Sequence, residues 1–476
     1  ILNKLQSNPV AQQMLQFGNN IGNLLPNEEA LCLASAFMQD KQTRIVVKKN
    51  RYEAQQLYQR LKPLINDTLL FVMEESLRVQ AIASSPEDKQ EQLYVLTQLV
   101  KEDKPRIIIC NMAAFFRYLP DKELFRNLCF KFEVDQEITM TELKQKLNRA
   151  GYTKVNYVDR PCTYASRGGI VDVYCLEYDH PIRIEFFDTV IESIRIFHEE
   201  TQRTIETIDS VFINPATDLL FTDDQIEFLQ KEIDSELEKQ HEKLIQDDYD
   251  FLLDYIEKDK IALENYDIDP HLYIYFSYLN ANQFMDYVQG HIIFSSQEEV
   301  ENGYKKLNEE TISFIQEMVE SHQYLPKYSM FHDVFAFEKE HNIQMFHDFM
   351  DFKNPIFSKI ETLEKSDQPL IQILENLKGN TIYISLDEEH TKKVEEALKA
   401  YSIHKNIIFI EDDFYEGFMY EDISVYTQQE LFHRPSQIKR YQKTFKQGQI
   451  LQNILELEPN DYVVHEQYGI GQYVGI

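Results

Sequence analysis

Positive charge, paired cysteines, glycine and long apolar runs are all scarce in this chain, and each shortage removes a class of function. Against 80 Asp and Glu residues stand only 48 Lys and Arg, a formal net charge of −32 at pH 7. A surface this acidic repels phosphate, so the chain is a poor main DNA-gripping element, and a protein or basic partner suits it better. The five cysteines (Cys32, Cys110, Cys129, Cys162 and Cys175) are scattered and form no Cys-x-x-Cys pair. That excludes the usual zinc and disulfide frameworks and leaves buried free thiols. No apolar run approaches the ~18 residues that a bilayer crossing needs. The opening Ile1-Leu2-Asn3-Lys4 has no charged segment leading into an apolar one. The expectation is a cytoplasmic protein without membrane contact.

The 13 glycines exclude more. A phosphate-cradling loop requires Gly-x-x-x-x-Gly-Lys-Ser/Thr, in which backbone N–H groups wrap the phosphates and the lysine neutralises them. No glycine here is followed by lysine. Where such a loop would sit, the chain reads Ile21-Gly22-Asn23-Leu24-Leu25-Pro26-Asn27-Glu28-Glu29, with two carboxylates in place of the lysine and hydroxyl. The magnesium-side carboxylates are missing as well, since Ile292-Ile293-Phe294 is followed by Ser295-Ser296-Gln297. Gly469-Ile470-Gly471 lacks the third glycine of a dinucleotide fingerprint, position 474 being Val474, and reads as a hairpin turn. His241-Glu242 and His465-Glu466 have no second histidine at metalloprotease spacing, and no Gly-x-Ser-x-Gly occurs.

What is present is the profile of a globular chain, 43% apolar and 27% charged, whose 476 residues divide into about three or four domains. Arg44–Val47, Leu69–Val72 and Ile107–Cys110 read as buried strands alternating with helices such as Tyr52–Leu61, the pattern of a parallel sheet covered on both faces. From about Phe130 to Ile213 the rhythm changes. A helix near Thr141–Ala150 precedes short strands at Gly169–Tyr174, Ile182–Phe187 and Ile191–Phe197, the mark of an inserted antiparallel sheet. Residues from about Thr222 to Lys260 read as a solvated acidic amphipathic helix, with Ile226, Leu229, Ile233, Leu237 and Leu244 at helix spacing. The strand Ile292–Phe294 should rejoin the first sheet. A further α/β pattern holds strands Thr381–Ser385, Ile407–Ile410 and Ile423–Tyr426 and the helix Glu388–Ala400. A polar helical connector, Arg434–Leu457, leads to a β module at Asp461–Ile476 that stops partway, as a fragment of a longer protein would.

One constellation stands out. Arg167 lies in the turn Ser166-Arg167-Gly168-Gly169, and Arg183 and Phe187 share a strand at even spacing, so both point to one face of the sheet. Arginine beside an aromatic is the composition of a binding hot spot. The competing reading puts Phe187 in the domain core and pairs both arginines with local acids such as Asp188.

The blocks Tyr164-Ala165-Ser166-Arg167-Gly168-Gly169-Ile170-Val171-Asp172-Val173, Pro181–Asp188, Glu192-Ser193-Ile194-Arg195 and Thr201-Gln202-Arg203-Thr204 resemble the second domain shared by UvrB and the transcription-repair coupling factor family. Loss of the phosphate loop, and the likeness of Asp461–Ile476 to the start of an RNA-polymerase-interacting domain, point to the coupling-factor branch. The likeness is weak over about 214–350 and through the third domain.

The resemblance implies an α/β fold: a degenerate P-loop, helicase-like parallel-sheet domain with an inserted small α+β domain, a further small α/β domain and the start of a β module. The implied boundaries are 1–129 and 213–348 for the first sheet, 130–212 for the insertion, 349–445 for the third domain and 446–476 for the connector and polymerase-contacting start. It further implies a non-catalytic adaptor that docks the repair ATPase UvrA through Arg167, Arg183 and Phe187. No cofactor is expected at Gly22, Asn23, Asn27, Glu28 and Glu29. ATP and magnesium would belong to motor domains absent from this stretch, which would also carry the DNA contacts, and the family's C-terminal region masks the docking face. The rival class is an active, nucleotide-driven DNA enzyme of the UvrB or helicase kind. A third reading is a structural spacer.

Overall fold

The computed structural model describes residues 1–18, 21–22, 24–75, 86–266, 269–347, 356–365, 368–411, 414–432, 462–465 and 469–472. Strands β1 (Ile21–Gly22), β2 (Arg44–Lys48), β3 (Thr68–Phe71) and β4 (Ile107–Asn111) alternate with the helices Pro26–Asp40, Arg51–Leu61 and Pro86–Lys101. Next come β5 (Phe130–Glu133), β6 (Thr153–Lys154), β7 (Thr163–Arg167), β8 (Ile170–Tyr174), β9 (Ile182–Phe187), β10 (Val190–Phe197), β11 (Thr204–Ile208) and β12 (Ser210–Ile213). After a helical stretch follow β13 (His291–Phe294) and β14 (Ile343–His347).

Six of these strands form one sheet in the order β1-β14-β13-β2-β4-β3, and every neighbouring pair is parallel. Alternation along its strands feeds two cores. Ile45, Val47, Phe71, Ile108 and Cys110 enter one, while Val46, Leu70, Ile107, Ile109 and Ile293 enter the other. This is why the strands read as unbroken apolar runs. Ile292–Phe294 rejoins the sheet as expected, beside β2.

The insertion leaves and re-enters cleanly because β5 and β12 pair antiparallel, Phe130 opposite Ile213 and Glu133 opposite Ser210. Between them a second sheet runs in the order β11-β10-β9-β8-β7-β6. From β7 to β11 it is a meander of antiparallel neighbours. Its inner residues, among them Val171, Val173, Ile182, Ile184 and Ile194, share a core with Leu143 and Leu147 of the helix Met140–Arg149.

The acidic stretch differs from expectation. It is two helices, Asp223–His241 and Gln246–Asn265, rather than one. Ile226, Leu229, Ile233 and Leu237 are buried as their spacing predicts, but the chain turns at 242–245 and the second helix buries its own stripe of Leu252, Ile256 and Leu263. The two are tied back to back by Gln230 Nε2 donating to the Lys260 carbonyl at 3.1 Å and by a Lys260–Asp234 ion pair at 2.7 Å. Folding back buries two apolar stripes where a single rod would expose one.

A third sheet holds β15 (Glu361–Thr362), β16 (Thr381–Ser385), β17 (Ile407–Ile410), β18 (Phe418–Tyr420) and β19 (Ile423–Tyr426), ordered β15-β18-β19-β16-β17, with the helix Glu388–Ala400. Phe418 and Val425 enter the same core as Leu31 and Ile107 of the first sheet and its helix. Residues Gln437–Ile476 form a separate unit in which β20 (Tyr462–His465) pairs antiparallel with β21 (Gly469–Gln472). Gly469-Ile470-Gly471 is therefore part of a hairpin strand, not its turn, with Ile470 opposite Val464. The expected helical connector Arg434–Leu457 lies outside the described residues. Among the described residues no helix is long and apolar enough to cross a membrane.

Candidate docking face

The outer face of the inserted sheet carries the three singled-out residues. Along β9 the residues Ile182, Ile184 and Phe186 are buried, whereas Arg183 and Glu185 are half-buried and Phe187 is 74% exposed. Even spacing therefore puts Arg183 and Phe187 on one face, as the alternation predicts, and the core reading of Phe187 is overturned. Phe187 is the last residue before the tight β9–β10 turn, in which Asp188 adopts φ 56°. The inner face at that end of the strand is already filled by Phe186 and Ile191.

Arg167 is the last residue of β7, one step earlier than the expected turn. Gly168 and Gly169 make the turn, Gly168 at φ 60°, a region that suits glycine. A side chain on Gly169 would come within 3.0 Å of the Phe186 carbonyl, so glycine lets the turn lie against β9 near Phe187. Arg167 is exposed and has no ion-pair or hydrogen-bond partner among the described residues.

Arg183 differs. Its Nε and Nη2 donate to Asp172 Oδ1 and Oδ2 at 2.7 and 2.8 Å, and Nη2 also donates to Gln202 Oε1 at 2.8 Å. Asp172 stands directly across from it on β8. The guanidinium carbon lies 4.4 Å over the ring of Phe197, itself 1% exposed. The hydrogen bonds that Arg183 donates to Asp172 raise its pKa further. So the acid Arg183 meets is Asp172, not Asp188. Next along the face Glu185 pairs with Arg195 and accepts from Ser193 Oγ at 2.9 Å.

Arg167 and Arg183 line one shallow depression of about 60 Å³, together with Tyr157, Ile170, Asp172 and Gln202. The structure thus brings the two arginines together and sets Phe187 at the edge of the same face. Sequence reading did not single out Asp172, Gln202, Tyr157 or Phe197. Alternation in Ile170–Tyr174 already put Asp172 on the outer face, but the signal for Gln202 needed the register of β10 and β11.

The second candidate region lies between β1 and the helix Pro26–Asp40, separated only by residues 23–25. Asn23 is outside the described residues. Glu28 turns back to cap its own helix, accepting from the Leu25 N–H at 2.7 Å and from Ser358 Oγ at 2.6 Å. Glu29 is 1% exposed and is matched by Lys48 Nζ at 2.7 Å and Ser295 Oγ at 2.6 Å. Asn27 is buried. An internal carboxylate from the first turns of the helix is thus held by a lysine from the end of β2 and a serine just past β13. Both carboxylates that stand in place of the lysine and hydroxyl are engaged with the protein itself. Among the described residues no group of three His, Cys, Asp or Glu side chains is placed to hold a metal ion.

Two family models match this chain: the UvrB interaction domain over residues 130–219, and the CarD-like/TRCF RID domain over residues 457–476. Transcription-repair-coupling factors are among its relatives. That of Bacillus subtilis is 26% identical over 90% of this chain and 40% of its own length. Those of Staphylococcus haemolyticus and of a Staphylococcus aureus strain are 26% and 25% identical over 95% of this chain and 41% of their own lengths. The chain spans about two fifths of the relatives it matches. Over nearly its whole length, then, this chain is similar to the N-terminal part of the transcription-repair-coupling factors, with a UvrB interaction domain as its inserted sheet.

Proposed function

We propose that this chain is the non-catalytic N-terminal adaptor of a transcription-repair-coupling factor, and that its inserted sheet docks UvrA through Arg167, Arg183 and Phe187. The observation that carries the reading is Phe187, 74% exposed on the same face as both arginines. A large aromatic left in water at one end of a strand that alternates apolar-in and polar-out, beside arginine, is the composition of a binding hot spot. The family model matched over residues 130–219, the UvrB interaction domain, supports an interaction role for this sheet. In the same reading residues 1–129 and 213–348 are a degenerate helicase-like nucleotide fold, 349–445 a third domain, and 446–476 the start of a module that contacts RNA polymerase. DNA, ATP and magnesium belong to the remainder of such a longer translocase, and its location is the cytoplasm.

What supports the loss of nucleotide binding is the filled site beside β1. A three-residue connection cannot wrap a triphosphate as a phosphate loop does, and Glu29 already takes the lysine and hydroxyl that face it. The test is a UvrA pull-down with Arg167→Ala and Arg183→Ala combined. Binding should be lost while circular dichroism stays unchanged, since each anchor typically costs about 2 kcal/mol or more when truncated. Undiminished capture by the double variant sinks the docking reading. Calorimetric titration with ATP and magnesium addresses the rival: micromolar binding would mark an active nucleotide enzyme.

A further inference from the structure

The three proposed anchors are not equally set. Arg167 and Phe187 are exposed, and Arg167 has no polar partner among the described residues. Arg183 is fixed along one edge by Asp172, at its Nη2 by Gln202, and from below by the Phe197 ring. Its Nη1 has no hydrogen-bond partner among the described residues.

Gln202 is itself held in place. It adopts φ 58° in the β10–β11 turn, and its Nε2 donates to Tyr157 Oη at 2.7 Å and to the Glu199 carbonyl at 2.8 Å. A left-handed backbone is uncommon for a side chain of this kind. Here it aims the amide oxygen at Arg183 across the sheet.

We propose that Asp172 and Gln202 are positioning residues for partner docking: they lock the Arg183 guanidinium in one orientation and leave its Nη1 edge for an acceptor on UvrA. The inference rests on the docking reading above. Its physical basis is the freedom of the arginine side chain, which carries about 2 kcal/mol of rotamer entropy. A guanidinium already ordered before contact loses less of it on binding. Charge follows the same logic. Asp172 neutralises Arg183 and Glu185 neutralises Arg195, so among the described residues lining the depression the cation without an ion-pair partner is Arg167, beside an oriented neutral pair. That suits a partner segment bearing a single carboxylate next to a neutral acceptor.

The test is calorimetric titration of UvrA into the full 476-residue chain. Asp172→Ala should weaken binding about tenfold, a loss of the size seen when an ordered arginine is set free. In an Arg183→Lys background, which keeps the charge and loses the fork, the same change should matter less than about twofold. Gln202→Gly removes the acceptor while suiting the left-handed backbone, so it should weaken binding about threefold without lowering the melting temperature. Wild-type affinity in Asp172→Ala and Gln202→Gly, or an equal loss in both arginine and lysine backgrounds, overturns the positioning role. If Arg183→Ala itself leaves UvrA binding intact, the docking reading falls first. Loss with Arg183→Ala but none with Asp172→Ala removes this inference alone.

Discussion

Glu29 offers the deepest test of how the region beside β1 is closed. Its side chain and that of Lys48 are 2% and 11% exposed, and their charges meet at 2.7 Å. At an effective dielectric of ~20 that separation corresponds to about 6 kcal/mol of attraction. The cost of taking two ions out of water offsets most of it, so the pair adds little beyond what an apolar pair would. Removing one partner is a different matter, because the other charge is then stranded. Glu29→Ala should therefore cost about 3–5 kcal/mol. Ser295 Oγ loses its acceptor in the same variant. The combined Glu29→Leu and Lys48→Met variant should be near neutral, since no buried charge remains. Native-state hydrogen exchange at the β2 amides reads the difference. Millimolar inorganic phosphate should restore part of the stability of Glu29→Ala and leave the wild type unchanged. The vacated site would offer the Lys48 ammonium and the Ser295 hydroxyl. A loss under about 1 kcal/mol, or a double variant no better than the single one, would refute the buried-pair argument.

Three further outcomes are expected. Phe187→Ala should leave unfolding free energy within about 0.5 kcal/mol of wild type, as an exposed site allows, yet weaken UvrA binding by about 2 kcal/mol; matched denaturation and titration series check it, and a large stability loss would return Phe187 to the core. His271 sits between Asp259 and Asp269 at 2.6 and 2.8 Å, and although burial disfavours its cation, those hydrogen bonds hold its pKa up to about 9. Because that value is raised from 6.5, the stabilisation is fully present below about pH 6.5 and lost as pH rises through about 9. With solvent screening the effect is about 1–2 kcal/mol, so melting curves of wild type and His271→Gln should converge at alkaline pH; parallel curves would contradict it. In the acidic hairpin, Ile256→Ala, at 1% exposure, should cost about 2–5 kcal/mol, whereas Phe251→Ala, at 55%, should cost under about 0.5, as urea melts would show.

Local periodicity carried a good deal of this fold. Val46 and Val47 enter opposite cores simply because a strand alternates, and the unbroken apolar runs of β2, β3 and β4 already required covering on both faces. The even spacing of Arg183 and Phe187 placed them on one face before any partner strand was known. Periodicity also marked Ile226, Leu229, Ile233 and Leu237 as one buried stripe. It did not show where the acidic segment turns back, because residues 242–245 contain neither glycine nor proline and only packing of the second stripe against the first fixes the break.

Sequence by itself determined what chemistry was missing: a glycine followed by lysine and a carboxylate pair after β13 are covalent facts that no folding can supply. It also fixed which face the residues of regular strands such as β8 and β9 take, a consequence of backbone geometry two residues long that the bulges of β10 interrupt. Tertiary structure alone decided the partners. Asp172 and Gln202 stand 11 and 19 residues from Arg183 along the chain and meet it only through strand register. Ser295 stands 266 residues from Glu29 and reaches it only because β13 inserts beside β2. Whether a polar group is matched or left open depends on those distant registers, and so it was the folded sheet that left Arg167 and Phe187 free while it tied Arg183 and Glu29 down.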